Sequence, residues 1–276
     1  MIAHQYKIRL KKAREPQHSL FPIDYSKIDM DLSKTTTELI DYRTAEKIIL
    51  EYEWLKSMPH AGSIQVCYGI FFGNFCGGVL VFGYATTPLR NFPQFNFRGE
   101  VFVLHRGACC WWTPRNTASY FITQSLKLLK KDYLEIKIIT ATVDPVAGEM
   151  GTIYQSLGWY YVGIINKNNP HRNFIIDGKH IHSKTLYDWH GSSSATFLKK
   201  IYGDRLEIRE YTDKLRYFYF VGTRKERKYN YERIKHLIKP YPKRAEEVSR
   251  EKRQVANLKG VGQFHDSAFE DNNEKR

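Results

Sequence analysis

The chain has 276 residues, 42% hydrophobic and 14% aromatic, enough apolar material for one large folded domain or a domain with an appendage, and disorder is not expected before the tail. Its 43 lysines and arginines against 29 acids give a net charge of +14, which attracts a polyanion through counterion release, and nucleic acid is the expected partner. No apolar run approaches the ~20 residues of a membrane span, and the basic N-terminal stretch lacks the apolar segment of a secretory signal. Cys67, Cys76, Cys109 and Cys110 form no CxxC pair, so they read as small core residues in a reducing cytosol.

Residues 1–40 mix charge and polarity and are expected to wrap the surface. Thr44 to Lys56 places Ala45, Ile48, Ile49, Tyr52 and Leu55 at helical spacing, with Thr44 as cap, and Met58-Pro59-His60-Ala61-Gly62 stops it. Two strand-like runs, Ile64 to Phe72 and Phe75 to Tyr84, join through Gly73-Asn74 as a hairpin. Arg98 to Leu104 reads as a strand, and Thr113-Pro114 as the start of a helix carrying Ala118, Phe121, Ile122, Leu126 and Leu129 inward. Ile136 to Val143 is a β-branched buried strand ending at Asp144, followed by a short helix over Gly151–Leu157 and a strand from Trp159 to Ile165.

The polar stretch from Asn166 to Thr196 carries His171, His180, His182 and His190 and reads as an insertion. Those histidines match no zinc spacing, and a solvated strand face is the favoured reading. Arg216 to Gly222 is the final strand, after which the chain turns basic and then becomes a polar tail from about Glu246. The predicted plan is α/β (α+β): a mixed central sheet flanked by helices over residues 1–222, with a polar insertion at 166–200 and a basic, partly disordered extension over 223–276.

The chemistry concentrates where a buried strand meets the loop DPVAGEMGTIYQSLGWYYVG, residues 144–163. Asp144 at a strand's carboxyl end points into the crevice where open α/β sheets bind ligands. Tyr154 opens the next helix and is expected to face back toward that acid. A carboxylate there can act as base or metal ligand and a phenol can donate a proton; spacing alone equally allows a turn cap and a half-core ring. Arg106 ends the preceding strand and is expected to open onto the same crevice. The helix start at Thr113–Ser119 offers free N–H groups to an anion, and Ser119 alone reads as a surface serine. Arg224 to Arg244 interleaves tyrosines with cations, a composition suited to DNA; Arg224, Lys225, Arg227, Lys228, Lys243 and Arg244 are the candidate contacts.

LHRGACCWWTPRNTASYFITQSLKLL and the loop above, supported by EYEWLKSMPHAG and RYFYFVG, make the chain resemble the Mom family of bacteriophage DNA-modification proteins. The resemblance implies a GNAT-like acyltransferase fold and transfer of a carbamoylmethyl group to the exocyclic amine of adenine, shielding phage DNA from restriction in the cytoplasm of the infected bacterium. It places the family's functional arginine on Arg106, its serine on Ser119, its acid on Asp144 and its tyrosine on Tyr154. An acetyl-CoA-type donor, with Arg115, Asn116 and Thr117 as contacts, follows from the resemblance, as does double-stranded DNA as substrate. Where the family carries His-Tyr, this chain has Glu53-Trp54; Glu53 and Asp144 are then candidate ligands for iron or another divalent metal, with a helix-surface charge as the other reading of Glu53. Two competing functions are an N-acetyltransferase acting on a small amine or a protein, which leaves the charge unexplained, and a non-enzymatic DNA-binding anti-restriction protein, for which Asp144 and Tyr154 are dispensable.

Overall fold

The computed structural model describes residues 3–15, 23–85, 99–164, 171–181, 183–211 and 214–243. Met1–Tyr241 form one compact unit and Pro242–Arg276 a second, of which Pro242 and Lys243 are described. In chain order the first unit contains α1 (His4–Arg14), β1 (Thr36–Leu39), α2 (Tyr42–Tyr52), β2 (Val66–Phe72), β3 (Phe75–Tyr84), β4 (Val101–Cys109), α3 (Thr117–Asp132) and β5 (Ile138–Val143). There follow α4 (Thr152–Ser156), β6 (Tyr160–Ile164), β7 (His171–Ile176), β8 (Lys179–Ile181), α5 (Ser183–His190), α6 (Ala195–Tyr202), β9 (Leu206–Tyr211), β10 (Leu215–Phe220) and α7 (Arg224–Ile234).

Seven strands form the central sheet in the order β1-β2-β3-β4-β5-β10-β6, antiparallel throughout except for the β4–β5 pair. This is the mixed α/β sheet that the hydrophobic pattern predicts. The hairpin turns at Gly73, whose φ of 57° is open to glycine at no steric cost. The helix before it, α2, differs at both ends from expectation. Asp41, not Thr44, caps α2: its carboxylate accepts from the Thr44 N–H and hydroxyl at 3.0 and 2.6 Å. The helix ends at Tyr52, leaving Glu53 as an extended C-cap.

Side-chain alternation sets what each face buries. Ala45, Ile49 and Tyr52 of α2 pack on Cys67, Val79, Val81 and Ala108. On the same face, nearer the sheet's other edge, Ile234 of α7 joins Val101, Ile138, Phe218 and Phe220. The opposite face takes α3, with Phe121 and Leu129 fully enclosed and Tyr133 at its end 5.0 Å from the Phe102 ring. Each such buried aliphatic or aromatic side chain contributes ~1.5–3 kcal/mol. Arg224–Ile234 thus packs within the first unit, while the chain beyond Tyr241 belongs to the second.

The stretch read as a polar insertion folds on its own small core. β8-β7-β9 make a three-stranded sheet, and Phe174, Ile176, Leu186, Leu198 and Leu206 close under α5 and α6. Nor do the first residues merely wrap the surface: α1 packs Ile8 onto the α2 cluster, and β1 extends the sheet edge. Its sequence, HQYKIRLKKAR, has no apolar stripe to announce it.

Candidate active site

The central feature is a parting of strands. β4 and β5 are paired from Val101–Ile138 to Leu104–Ala141 and no further, although β4 continues to Cys109 against β3. A bulge in the β3–β4 register, where Val81 opposes Arg106 and Phe82 opposes Leu104, inserts His105 as an extra residue. The bulge carries Arg106 to the face covered by α2. The carboxyl end of β5 parts from it on the other side, and its Thr142 is exposed. The crevice expected at the strand ends therefore exists as a gap in backbone pairing.

Arg106 lines one wall. Its Nε donates to the Ser57 carbonyl at 2.9 Å and a terminal nitrogen to the His105 carbonyl at 2.7 Å. Glu53 faces it with Oε2 4.0 Å from Nε, and the same oxygen accepts from the Leu55 N–H at 2.8 Å. Glu53 is only 6% exposed, which removes the helix-surface reading. Burial raises its carboxyl above the ordinary range, with Arg106 pulling the other way. Arg106 is lowered by burial despite Glu53, the behaviour of a pair whose attraction does not fully offset desolvation. Next to it, burial and the Arg106 charge lower His105 to about 4, so this imidazole is neutral at pH 7.

The other wall brings three more ionisable groups. Asp144 is 5% exposed, at the end of β5. The β5–β10 register pairs Val143 with Leu215, so Lys214 stands across from Asp144. Burial lowers the Lys214 ammonium, while Asp144 and Glu53 raise it and Arg106 lowers it further, so all four share one electrostatic environment. Glu149, in the loop after Asp144, is raised to about 7 by burial first and then by Glu53 and Asp144. Glu149 and Lys214 were not singled out from sequence. The glutamate had a readable signal, an acid between Gly148 and Gly151 in the loop already marked; Lys214 had none, because antiparallel register cannot be read from one strand.

Tyr154 lies one step behind. Its ring packs between Trp159 and Tyr217, at 4.9 and 5.5 Å, and burial followed by the nearby Glu149 charge pushes its phenol up. The Glu149 charge is thus felt by Tyr154, as the charges of Glu53 and Asp144 are felt by Glu149. The loop is held by Tyr217, whose hydroxyl donates to the Met150 carbonyl at 2.6 Å while Gln155 donates to both at 2.9 and 3.0 Å. Gly151 sits at φ 72°, and a Cβ there would meet the Tyr217 ring at 2.4 Å.

The residues before and in α3 occupy a different place. The helix starts at Thr117, not at Pro114, and the Thr113 hydroxyl is engaged elsewhere, donating to the Cys110 carbonyl and accepting from Arg9. Asn116 takes the cap position with φ 69° and no side-chain cap bond. The Thr117 hydroxyl donates to the Pro114 carbonyl and is buried, Ser119 donates to the Asn116 carbonyl at 3.0 Å, and Arg115 is exposed. Ser119 is thus tied into its own first turn.

Arg224, Lys225, Arg227 and Lys228 are exposed on α7, capped by a reciprocal Thr223–Glu226 pair. Tyr229 is 64% exposed beside them, with the Arg233 guanidinium 5.4 Å from its ring centre. Lys243 is exposed and Arg244 lies outside the described residues. His190, at the end of α5, bonds the Tyr202 hydroxyl at 2.6 Å; the strand face expected for His180 and His182 lies outside the described side chains. Among the described residues no group of three His, Cys, Asp or Glu is placed to hold a metal ion. Glu53 and Asp144 share their pocket with two cations, Arg106 and Lys214, which oppose a further positive ion. The donor set does not fit the metal that the sequence suggested.

Solved structures similar to the chain include a Bacillus subtilis acetyltransferase in complex with CoA, 12% identical, covering 68% of this chain and all of that one at a TM-score of 0.39. Another is Arabidopsis thaliana NAA60 in complex with acetyl-CoA, 10% identical, covering 68% and 98% at a TM-score of 0.41. A curated relative, the methylcarbamoylase Mom of Escherichia phage Mu, is 25% identical over 178 residues, 63% of this chain and 70% of its own length. The Mom protein family model matches residues 34–243, a span that takes in both walls of the crevice and the basic helix. The chain belongs to the Mom protein family.

Proposed function

We propose that this protein is a DNA-modifying transferase that adds a carbamoylmethyl-type group to the exocyclic amine of adenine in phage DNA, protecting it from host restriction. The observation that carries this reading is the convergence of Glu53, Arg106, Asp144, Glu149 and Lys214 where β4 and β5 part. Three carboxyls against two cations leave one acid in surplus, and Glu149, raised to about 7, is the one held between protonated and ionised at neutral pH. It is the natural acceptor for the proton that the amine must lose as its nitrogen forms a new bond to carbon. Asp144 and Lys214 hold the base edge from opposite strands, and Tyr154, behind Glu149, orients that carboxyl. Adenine reaches such a recessed site only outside the helical stack, so the target base is flipped.

An acyl-coenzyme A donor fits the start of α3, where the Ala118 and Ser119 N–H groups meet no backbone carbonyl among the described residues and Arg115 is exposed alongside. Such a donor would supply a thioester carbonyl carbon that bonds the adenine nitrogen as the coenzyme A thiolate leaves, giving an amide; a carbamoylmethyl group, joined through its methylene, would require an isomerisation of a transferred aminoacetyl group after that step. Arg224, Lys225, Arg227 and Lys228 supply the phosphate-binding face of the first unit, and Lys243 and Arg244 are further candidate contacts carried separately by the second. The fold has no helix long and apolar enough to cross a membrane among the described residues, and the expected setting is the cytoplasm of the infected bacterium.

The test is cellular. DNA from cells producing the protein should resist restriction, and Asp144→Ala and Tyr154→Phe should each abolish that resistance while binding DNA as the parent does. Resistance retained by both variants would show that charge alone protects the DNA and that the chain acts as a binding protein. Acetylation of free amines without DNA would point instead to a general N-acetyltransferase.

A further inference from the structure

Arg216 is a cation that the chemistry above does not use. It lies on β10, directly across from Thr142 of β5, so the two side chains share a face. Thr142 is exposed. On that face α7 covers only the part of β10 at Phe218 and Phe220, and the Arg216 end lies beyond it, toward the crevice. Lys214 stands two residues earlier on the same strand, across from Asp144.

The Arg216 Nε is buried and makes no hydrogen bond among the described residues. Burial lowers the guanidinium to about 10, and no carboxylate among the described residues raises it. Arg106 is the useful contrast. It is equally withdrawn from water, yet it is met by Glu53 and by two backbone carbonyls. An arginine desolvated without compensation is costly. The residue as a whole still keeps some exposed surface, so an outside anion can reach it.

We propose that Arg216 anchors a phosphate-binding subsite beside the crevice, with the Thr142 hydroxyl as a second donor. The planar fork of a guanidinium matches two oxygens of one phosphate. The phosphate comes from one of two sources that flank a transfer reaction of this kind: the strand that carries the target base, or the nucleotide end of the donor. The subsite is independent of the proton transfer assigned to Glu149; a folded Arg216 variant that modifies adenine and binds both duplex and coenzyme A as the parent does would defeat this proposal alone.

The experiment uses the full chain and compares it with Arg216→Met and Arg216→Lys, using a duplex oligonucleotide over a salt series and, separately, coenzyme A. Loss of a strand phosphate contact lowers the slope of log affinity against log salt by about one and weakens duplex binding several-fold, with coenzyme A unaffected. Loss of a donor contact weakens coenzyme A binding several-fold and leaves the duplex slope unchanged. Arg216→Met should melt no lower than the parent, since it removes an uncompensated charge. Inorganic phosphate should raise the melting temperature of the parent more than that of either variant, at matched ionic strength. If Arg216→Met does not fold, the same two binding assays on Arg216→Lys decide the matter, because lysine keeps the charge and loses the fork. Unchanged affinity for both ligands in a folded variant, or no phosphate effect on the parent, overturns the subsite.

Discussion

Replacing Glu149 by glutamine should make the protein more stable in alkali and inactive at once. The carboxyl moves from 4.5 to about 7 on folding because burial and the charges of Glu53 and Asp144 disfavour its ionised form. Below pH 4.5 both folded and unfolded chains hold the proton, and the group costs nothing. Between the two values the folded chain retains a proton that the unfolded chain has released, so stability falls as pH rises. Above about 7 the loss is complete, on the order of 3 kcal/mol for the full displacement and about 2 kcal/mol once the residue's remaining solvent contact is allowed for. Glutamine has nearly the same shape and no charge, so it escapes that slope. Thermal unfolding of parent and Glu149→Gln at intervals from pH 4.5 to 8.5 should show curves that separate as pH rises, by roughly 5 °C at the alkaline end for a unit of this size. Any fixed offset between the two reflects altered hydrogen bonding; the pH-dependent part is the readout. A separation that is constant across the range, or that closes as pH rises, would refute the assignment of Glu149 to the carboxylate cluster. The same variant should leave target DNA unmodified, the usual tension between stability and a site that holds like charges together.

Gly151→Ala should destabilise the chain by about 2–4 kcal/mol, because its φ is 72° and the added Cβ would sit 2.4 Å from the Tyr217 ring; chemical denaturation measures it, and a change under about 0.5 kcal/mol would show that the loop is not held as described. Joint reversal of Arg224, Lys225, Arg227 and Lys228 to glutamate should weaken duplex binding sharply and flatten its salt dependence. The four are exposed, so the melting temperature should stay within a few degrees of the parent, and binding that is indifferent to the change would move the DNA face elsewhere.

The fold was legible wherever a single stretch of chain carries its own signal. The Gly73-Asn74 hairpin, the β-branched run into Asp144 and the RYFYFVG strand all show in local composition, and each forms the element expected. α1 did not show: Ile8 alone anchors it in the core, and Gln5 and Arg9 hold it through bonds to the distant Gly107, Trp111 and Thr113. The three-stranded satellite was hidden for a related reason, since its core needs Phe174 and Leu206 together and the intervening sequence is polar.

The site divides the same way. Asp144 was readable as a strand end; Arg106 was read as one too, but it lies inside β4, which runs on to Cys109, and reaches the crevice because β5 leaves that strand after Leu104. The bulge at His105 that turns Arg106 toward α2 is a property of two strands, and neither sequence contains it alone. Glu53 stood out by residue type, but its role depended on Arg106 lying 4.0 Å away on the sheet face that α2 covers. A buried guanidinium there turns a would-be metal ligand into the partner of a cation. Lys214 and Arg216 look like ordinary charges flanking an apolar run, until the β5–β10 register sets them opposite Asp144 and Thr142.

The most direct test of the central claim, that this crevice performs chemistry on adenine, is mass spectrometry of nucleosides digested from the DNA of cells producing the protein. The parent chain should yield a deoxyadenosine of increased mass that disappears in Asp144→Ala. Only ordinary deoxyadenosine from cells that contain soluble, folded parent protein, or an identical modified species with Asp144→Ala, would contradict it.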